Sequence, residues 1–206
     1  CKELSNYHDV ILLTPSSKKS KSEIRTFLKK SFDLPNSVEL LFFNKYINNR
    51  RISTLFNYLN VKKFVKKIKP DFCFVRNSIF LRGCLNSEIP TFYEVHNNIL
   101  HPRFKLIDSL LRNLLIASSK SSYLIKFITI SDSLKESWIT AGVSRSKVIA
   151  LHDGFNTTEF QKSIPKKDAR VITDLPINKK IAIYTGSLLA DRKIENILFL
   201  AKNNKE

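Results

Sequence analysis

The sequence predicts an α/β protein built on a parallel sheet covered by helices on both faces. Short apolar runs of strand length alternate with amphipathic runs of helical period from one end of the 206 residues to the other. The strand-like runs are short and largely apolar, as strands buried on both faces are. Proline and glycine fall between the runs and punctuate them.

In chain order, Leu4 fits the end of a helix, and Val10 to Leu13 give a strand near 9–14, closed by Pro15. A helix near 20–31, a turn at Asn36 and a strand near 38–42 follow. Residues 54–68 read as a helix on which Leu55, Leu59, Lys62 to Lys63 and Val65 to Lys66 alternate faces, with the lysines on the solvated side. Pro70-Asp71 ends that helix and launches a strand near 71–76, which holds Cys73 as plain core. A helix near 78–86 leads through Ile89-Pro90 into a strand near 91–95, and a helix near 103–121 follows. The segment FITISDSLKESWITAGV (127–143) holds a buried strand near 126–130 and then a helix near 132–141. Ser131 is its N-cap, Leu134 and Trp138 share its inner face, and Gly142 stops it. A strand near 147–151 and a turn at His152-Asp153-Gly154-Phe155 come next. Pro165 and Pro176 bracket a basic helix near 165–172, and a final unit combines a strand near 180–185 with a helix near 194–203. The expected organisation is a first domain over 1–160, a linker over 161–178, and the start of a second domain over 179–206.

Composition narrows the function classes. With 43% hydrophobic residues and 15 Phe, the chain has ample material for a core. No apolar run approaches the ~20 residues of a membrane span. Three cysteines, an odd number without a CxxC pair, suit a reducing compartment. The formal net charge is +17, biased to the first 70 residues, which hold 15 Lys and Arg against 5 acids. Runs such as Lys62-Lys63 and Lys66-Lys67 read first as the solvated face of a helix, and second as attraction to an anionic membrane surface. Nucleic acid is a poor third, because no zinc-finger spacing, RNP-like aromatic motif or helix-turn-helix is present.

Three constellations could carry chemistry. TFYEVHNN (91–98) puts Glu94 and His96 on one side of a strand end, with Asn97 beside them, where open parallel sheets hold ligands. A histidine there can hydrogen-bond a sugar hydroxyl or phosphate, or act as acid or base. Taken alone, a buried and satisfied histidine is the better reading. Ser131 faces the same crevice, but without a GxSxG elbow or a matched base it reads as a cap. Gly186, Ser187, Arg192 and Lys193 lie between the last strand and the last helix, where glycine amides and first-turn cations could cradle a phosphate. Neither GxGxxG nor GxxxxGK[ST] is present. His8, His101 and His152 form no metal set with His96, so no metal is expected.

Taken in order, FYEVHN, the run 127–160 and YTGSLLADRKIENIL (184–198) resemble the retaining glycosyltransferases of family 4, which have the GT-B fold of two facing Rossmann-like domains. Gly154-Phe155-Asn156 before Phe160 stands where that family usually has Gly-Val-Asp and a phenylalanine. Gly186-Ser187-Leu188 and Lys193 fall on its donor loop, with Ser187 in place of the usual arginine and Ile194 in place of a glycine. The resemblance implies transfer of a sugar from a nucleotide-diphosphate donor to an acceptor hydroxyl of a glycan or lipid-linked molecule, with no cofactor beyond the donor. It makes His96 the residue that meets the transferring sugar, and assigns the diphosphate to Gly186, Ser187, Arg192 and Lys193. The strong positive charge fits such an enzyme in the cytoplasm, peripheral at the inner face of the membrane. The competing class is a non-enzymatic basic module that holds an anionic partner. With no methionine anywhere and a lone strand–helix unit at its end, the sequence reads as a piece of a longer protein, inactive by itself.

Overall fold

The computed structural model describes residues 3–15, 19–43, 50–97, 105–154, 164–186 and 195–203. The chain divides into two compact units, Cys1–Gly154 and Phe155–Glu206. Residue 160, where the first domain was expected to end, lies outside the described residues.

The first unit opens with a single 3-10 turn at Leu4–Asn6. It continues through β1 (Ile11–Pro15), α1 (Lys21–Phe32), β2 (Glu39–Phe43), α2 (Arg50–Ile68), β3 (Cys73–Val75) and α3 (Ser78–Leu85). It ends with β4 (Thr91–Val95), α4 (Lys105–Ser119), β5 (Leu124–Thr129), α5 (Asp132–Thr140) and β6 (Val148–Ala150). Every strand pairing is parallel. β1 pairs with β2 in one sheet, and β3-β4-β5-β6 form a second sheet in chain order. A parallel neighbour can be reached only by crossing over a face of the sheet, and each crossover here carries a helix. The α/β class and its parallel order therefore follow the sequence expectation, with element ends displaced by a few residues at most.

Local chemistry fixes the helix ends. Ser20 and Glu23 form a reciprocal capping box at α1: the Glu23 amide donates to Ser20 Oγ at 3.2 Å, and the Ser20 amide donates to Glu23 Oε2 at 2.7 Å. The Ser20 hydroxyl, which donates to Glu23 Oε2 at 2.6 Å, and the Ser20 amide hold the Glu23 carboxyl below its usual range. At the other end of α5, Gly142 takes φ +112°, its amide donates to Ile139 O at 3.0 Å, and the Val143 amide donates to Trp138 O at 3.0 Å. This pair of bonds is a Schellman stop, and it needs the left-handed backbone that glycine adopts at little cost.

The main core lies between the β3–β6 sheet and its helices. Trp138 from α5 and Phe127 from β5 are both fully buried, with ring centroids 5.2 Å apart, and Tyr93 meets Phe127 edge-on at 5.3 Å. The Arg112 guanidinium lies over the Trp138 ring at 5.2 Å. Burial pushes the Tyr93 phenol up to about 12, so it stays neutral in the core. Val61 and Val65 bring α2 against this core, while Lys63, Lys66 and Lys67 are exposed, as a solvated lysine face requires. Leu59 is a correction: it is 51% exposed, because the buried stripe of α2 runs through Val61 and Val65, to which Tyr58 and Phe64 are the flanking partners. A smaller cluster of Leu34, Val38 and Leu40 packs with Leu12 and Leu28 under the β1–β2 sheet. Cys73 and Cys84 are both thiols in the main core; the hydrogen bond between them, together with burial, pushes the Cys84 thiol well up.

In the second unit, α6 (Lys166–Ile172) and α7 (Glu195–Asn203) match the expected helices. The strand expected near 180–185 does not form. A strand exists through its ladder, and no strand among the described residues pairs with this segment, which leaves Ile183 71% exposed. Among the described residues, no helix is long and apolar enough to cross a membrane.

The Trp138–Phe127 contact makes a specific stability prediction. Trp138→Ala should cost about 3–5 kcal/mol in urea unfolding, the usual loss when a large aromatic is removed from a closed core. A loss under about 1 kcal/mol would mean that the core is organised around other side chains.

Candidate functional site

In a parallel sheet every strand delivers its next residue to the same edge. β3 delivers Arg76, β4 delivers His96 and Asn97, β5 delivers Ile130 and Ser131, and β6 delivers Leu151 and His152. The alternation along β4 explains why Glu94 and His96 act together. Thr91, Tyr93 and Val95 are buried, whereas Phe92 and Glu94 take the other face, and His96 continues that face beyond the strand end.

Glu94 and His96 are in direct contact through Oε1 of Glu94 and Nε2 of His96. Arg76 completes a three-residue cluster. Its Nη2 lies 2.7 Å from Nε2 and 3.3 Å from Nδ1 of His96, and its Nε lies 3.6 Å from Oε1 of Glu94. The Arg76 side chain is 62% exposed, whereas that of Glu94 is 17% exposed, so a mostly covered carboxylate stands between a histidine and an arginine that reaches solvent.

His96 also lines a shallow pocket of about 230 Å3 with Asn97, Ile130, Ser131, Ser133, Leu134 and Ser137. Its wall is rich in hydroxyl and amide groups, which suits a polyhydroxylated ligand. Ser131 is at the same time the α5 cap, accepting from the Leu134 amide at 3.2 Å. Thr129 Oγ1 donates to Ser131 O at 3.1 Å and thereby ties the cap to the end of β5. Beside the pocket, His152 Nε2 faces Asp132 Oδ2 at 3.4 Å, with both side chains largely exposed. Among the described residues, no group of three His, Cys, Asp or Glu side chains is placed to hold a metal ion.

Of the residues expected from sequence, the fold brings Glu94 and His96 into contact and gathers His96, Asn97 and Ser131 around one pocket. Gly186 belongs to the second unit. It takes φ +154°, and a Cβ there would sit 2.9 Å from the Tyr184 hydroxyl, so the position is built for glycine. Ser187, Arg192 and Lys193 lie outside the described residues. Arg76 escaped the sequence reading. Its signal was available: it directly follows the apolar run Phe72 to Val75, and Val75 pairs with Tyr93, which sets Arg76 beside Glu94.

No protein-family model matches the chain, and no curated protein matches it. Among solved structures the chain is similar to HepE (Alr3699) of Anabaena. With HepE in complex with UDP and glucose, the TM-score is 0.51 at 15% identity over 81% of this chain and 50% of that one. With HepE in complex with UDP, the TM-score is 0.53 at 15% identity over 80% of this chain and 50% of that one. The chain thus spans about half the length of these structures. At this identity the likeness is one of fold: parallel sheets flanked by helices.

The two roles open to Ser131 can be separated. If its hydroxyl serves as the helix cap, Ser131→Ala should lower stability by about 1 kcal/mol, and Ser131→Asp should restore it, since aspartate caps equally well and suits the positive end of the helix. Thermal unfolding of the two variants decides; equal destabilisation by both would remove the capping role.

Proposed function

We propose that this protein is a glycosyltransferase that moves a sugar from a nucleotide-diphosphate donor to an acceptor hydroxyl. The observation that carries the reading is the strand-end cluster in which His96, backed by Glu94, opens onto a hydroxyl-lined pocket. The fold likeness to HepE, crystallised with UDP and with UDP and glucose, supports the same chemistry. In this reading the first unit carries the acceptor side, where His96 meets the transferring sugar through a ring nitrogen. The second unit carries the donor loop, where the Gly186 backbone with Ser187, Arg192 and Lys193 meets the diphosphate. A departing nucleoside diphosphate gathers negative charge, and backbone donors with fixed cations lower the cost of that charge. No cofactor beyond the donor enters this scheme. The order and spacing of FYEVHN, 127–160 and 184–198 support placing the enzyme in retaining family 4. The +17 charge supports work on glycan or lipid-linked acceptors at an anionic membrane surface in the cytoplasm.

The test uses the full-length protein and a panel of UDP-, GDP- and ADP-sugars, with release of the nucleoside diphosphate as readout. Release from at least one donor is expected. Neither binding nor release across the panel would overturn the reading in favour of a non-enzymatic basic module.

Two substitutions locate the chemistry. His96→Ala should reduce turnover about 100-fold or more, the scale of a lost proton-handling or sugar-contacting group, while the melting temperature stays within a few degrees of wild type. A destabilised variant with unchanged turnover per folded molecule would remove His96 from the site. For the donor side, Lys193→Ala should cost about 100-fold in turnover, whereas Lys67→Ala on the solvated face of α2 should change nothing measurable. Equal losses in the two lysine variants would show that the diphosphate is held elsewhere.

A further inference from the structure

Two groups converge on one ring nitrogen of His96, and they cannot both be satisfied there. A neutral imidazole nitrogen either donates or accepts. Glu94 Oε1, an acceptor, and Arg76 Nη2, a donor, both lie within hydrogen-bond reach of Nε2. A carboxylate oxygen can only accept, and Nε2 is the ring nitrogen it reaches, whereas the Arg76 N–H has both ring nitrogens within reach. Nε2 therefore carries the proton and gives it to Glu94. The Arg76 N–H is left with the lone pair of Nδ1, 3.3 Å away, while its Nε faces the same carboxylate at 3.6 Å.

We infer that Arg76 and Glu94 are positioning residues for His96: Glu94 fixes the ring with its proton on Nε2, and Arg76 holds Glu94 while keeping Nδ1 as the nitrogen offered to a sugar hydroxyl. This rests on the transferase reading above and deepens it. Arg76 suits the task because it is anchored at the end of β3, one pairing beyond Val75↔Tyr93, so the parallel ladder sets its distance from Glu94. Its outer surface is exposed, so the guanidinium can yield its place at Nδ1 to an incoming hydroxyl without opening the core. Lysine could not serve equally, because a point charge on a flexible stem does not span a carboxylate and an imidazole edge at once.

Activity and ring chemistry can be read separately on the full-length protein. With whichever donor of the panel is turned over, Glu94→Ala and Arg76→Ala should each lower kcat by roughly 10–100-fold, the usual cost of losing a partner that orients an imidazole from behind. The KM for the donor should be unchanged, and Arg76→Lys should not rescue. Independently of any turnover, proton NMR should show a slowly exchanging downfield imidazole N–H assigned to His96 Nε2 in the wild type, lost in Glu94→Ala and broadened in Arg76→Ala. Because Arg76 is exposed, its variants should melt with the wild type, which excludes misfolding as the cause. A rise in donor KM with kcat unchanged would make Arg76 a substrate contact and overturn the proposal. So would wild-type kcat in both variants, or the absence of the protected N–H resonance. An intact resonance in a protein that turns over no donor would leave the ring arrangement standing while the transferase reading fell.

Discussion

The parallel register between β3, β4 and β5 is the constraint on which the site depends. Val75 pairs with Tyr93, and Tyr93 with Phe127, so one line of backbone hydrogen bonds ties three consecutive strands at the level just before they end. The residues that follow are delivered side by side: Arg76 from β3, Glu94 and His96 from β4, and Ser131 one turn beyond β5. No side chain in this set needs to be brought from afar. Register also controls facing. A slip of one residue in β4 would turn Tyr93 and Val95 out of the core and send Glu94 into it, an exchange of two apolar burials for one buried charge. The core side of the strand thus fixes the functional side.

The same strands show how packing and chemistry share a segment. Tyr93 is buried against Phe127, which in turn meets Trp138 on α5. Trp138 lies on the inner face of the helix whose first residue follows the Ser131 cap. The path from the aromatic core to the pocket is therefore short: β4 and α5 each bury one face in the core and present their ends, His96 and Ser131, to the same pocket. Thr129, fully buried, closes this path by donating to Ser131 O. A site built on strand ends and a helix start in this way holds its side chains on elements that the core fixes, while the Arg76 guanidinium reaches solvent.

Much of the fold was legible in the sequence because its signals were local and mutually consistent. TFYEV alternates, SDSLKESWITAGV carries its own cap, inner face and stop, and the proline boundaries at Pro70 and Pro90 stand where the chain turns into β3 and β4. Leu59 misled because it sits one position off the stripe through Val61 and Val65, a distinction that helical period alone does not resolve when lysines and apolar residues alternate closely. The segment 180–185 misled for a different reason. Its apolar run has the composition of a buried strand, but a strand is a property of a pair, and composition carries no information about a partner. Arg76 was missed because the signal for it lies in two segments at once: only the pairing of β3 with β4 places an unremarkable arginine against Glu94.

The charge distribution around His96 is informative against the background of the whole chain. In a protein with a net charge of +17, acids are scarce, and most described carboxylates lie at the surface, as Glu136 does in its exposed pair with Arg145. Glu94 differs from these: it is mostly covered and engaged by a histidine and an arginine together. Covering a carboxylate disfavours its charged form unless hydrogen bonds and a nearby cation compensate. Arg76 supplies the cation and His96 the hydrogen bond, so the cluster satisfies itself without drawing on the core. Stability alone gives no reason to cover a carboxylate at a sheet edge, where an apolar residue would serve as well. A fixed orientation for the imidazole does give one.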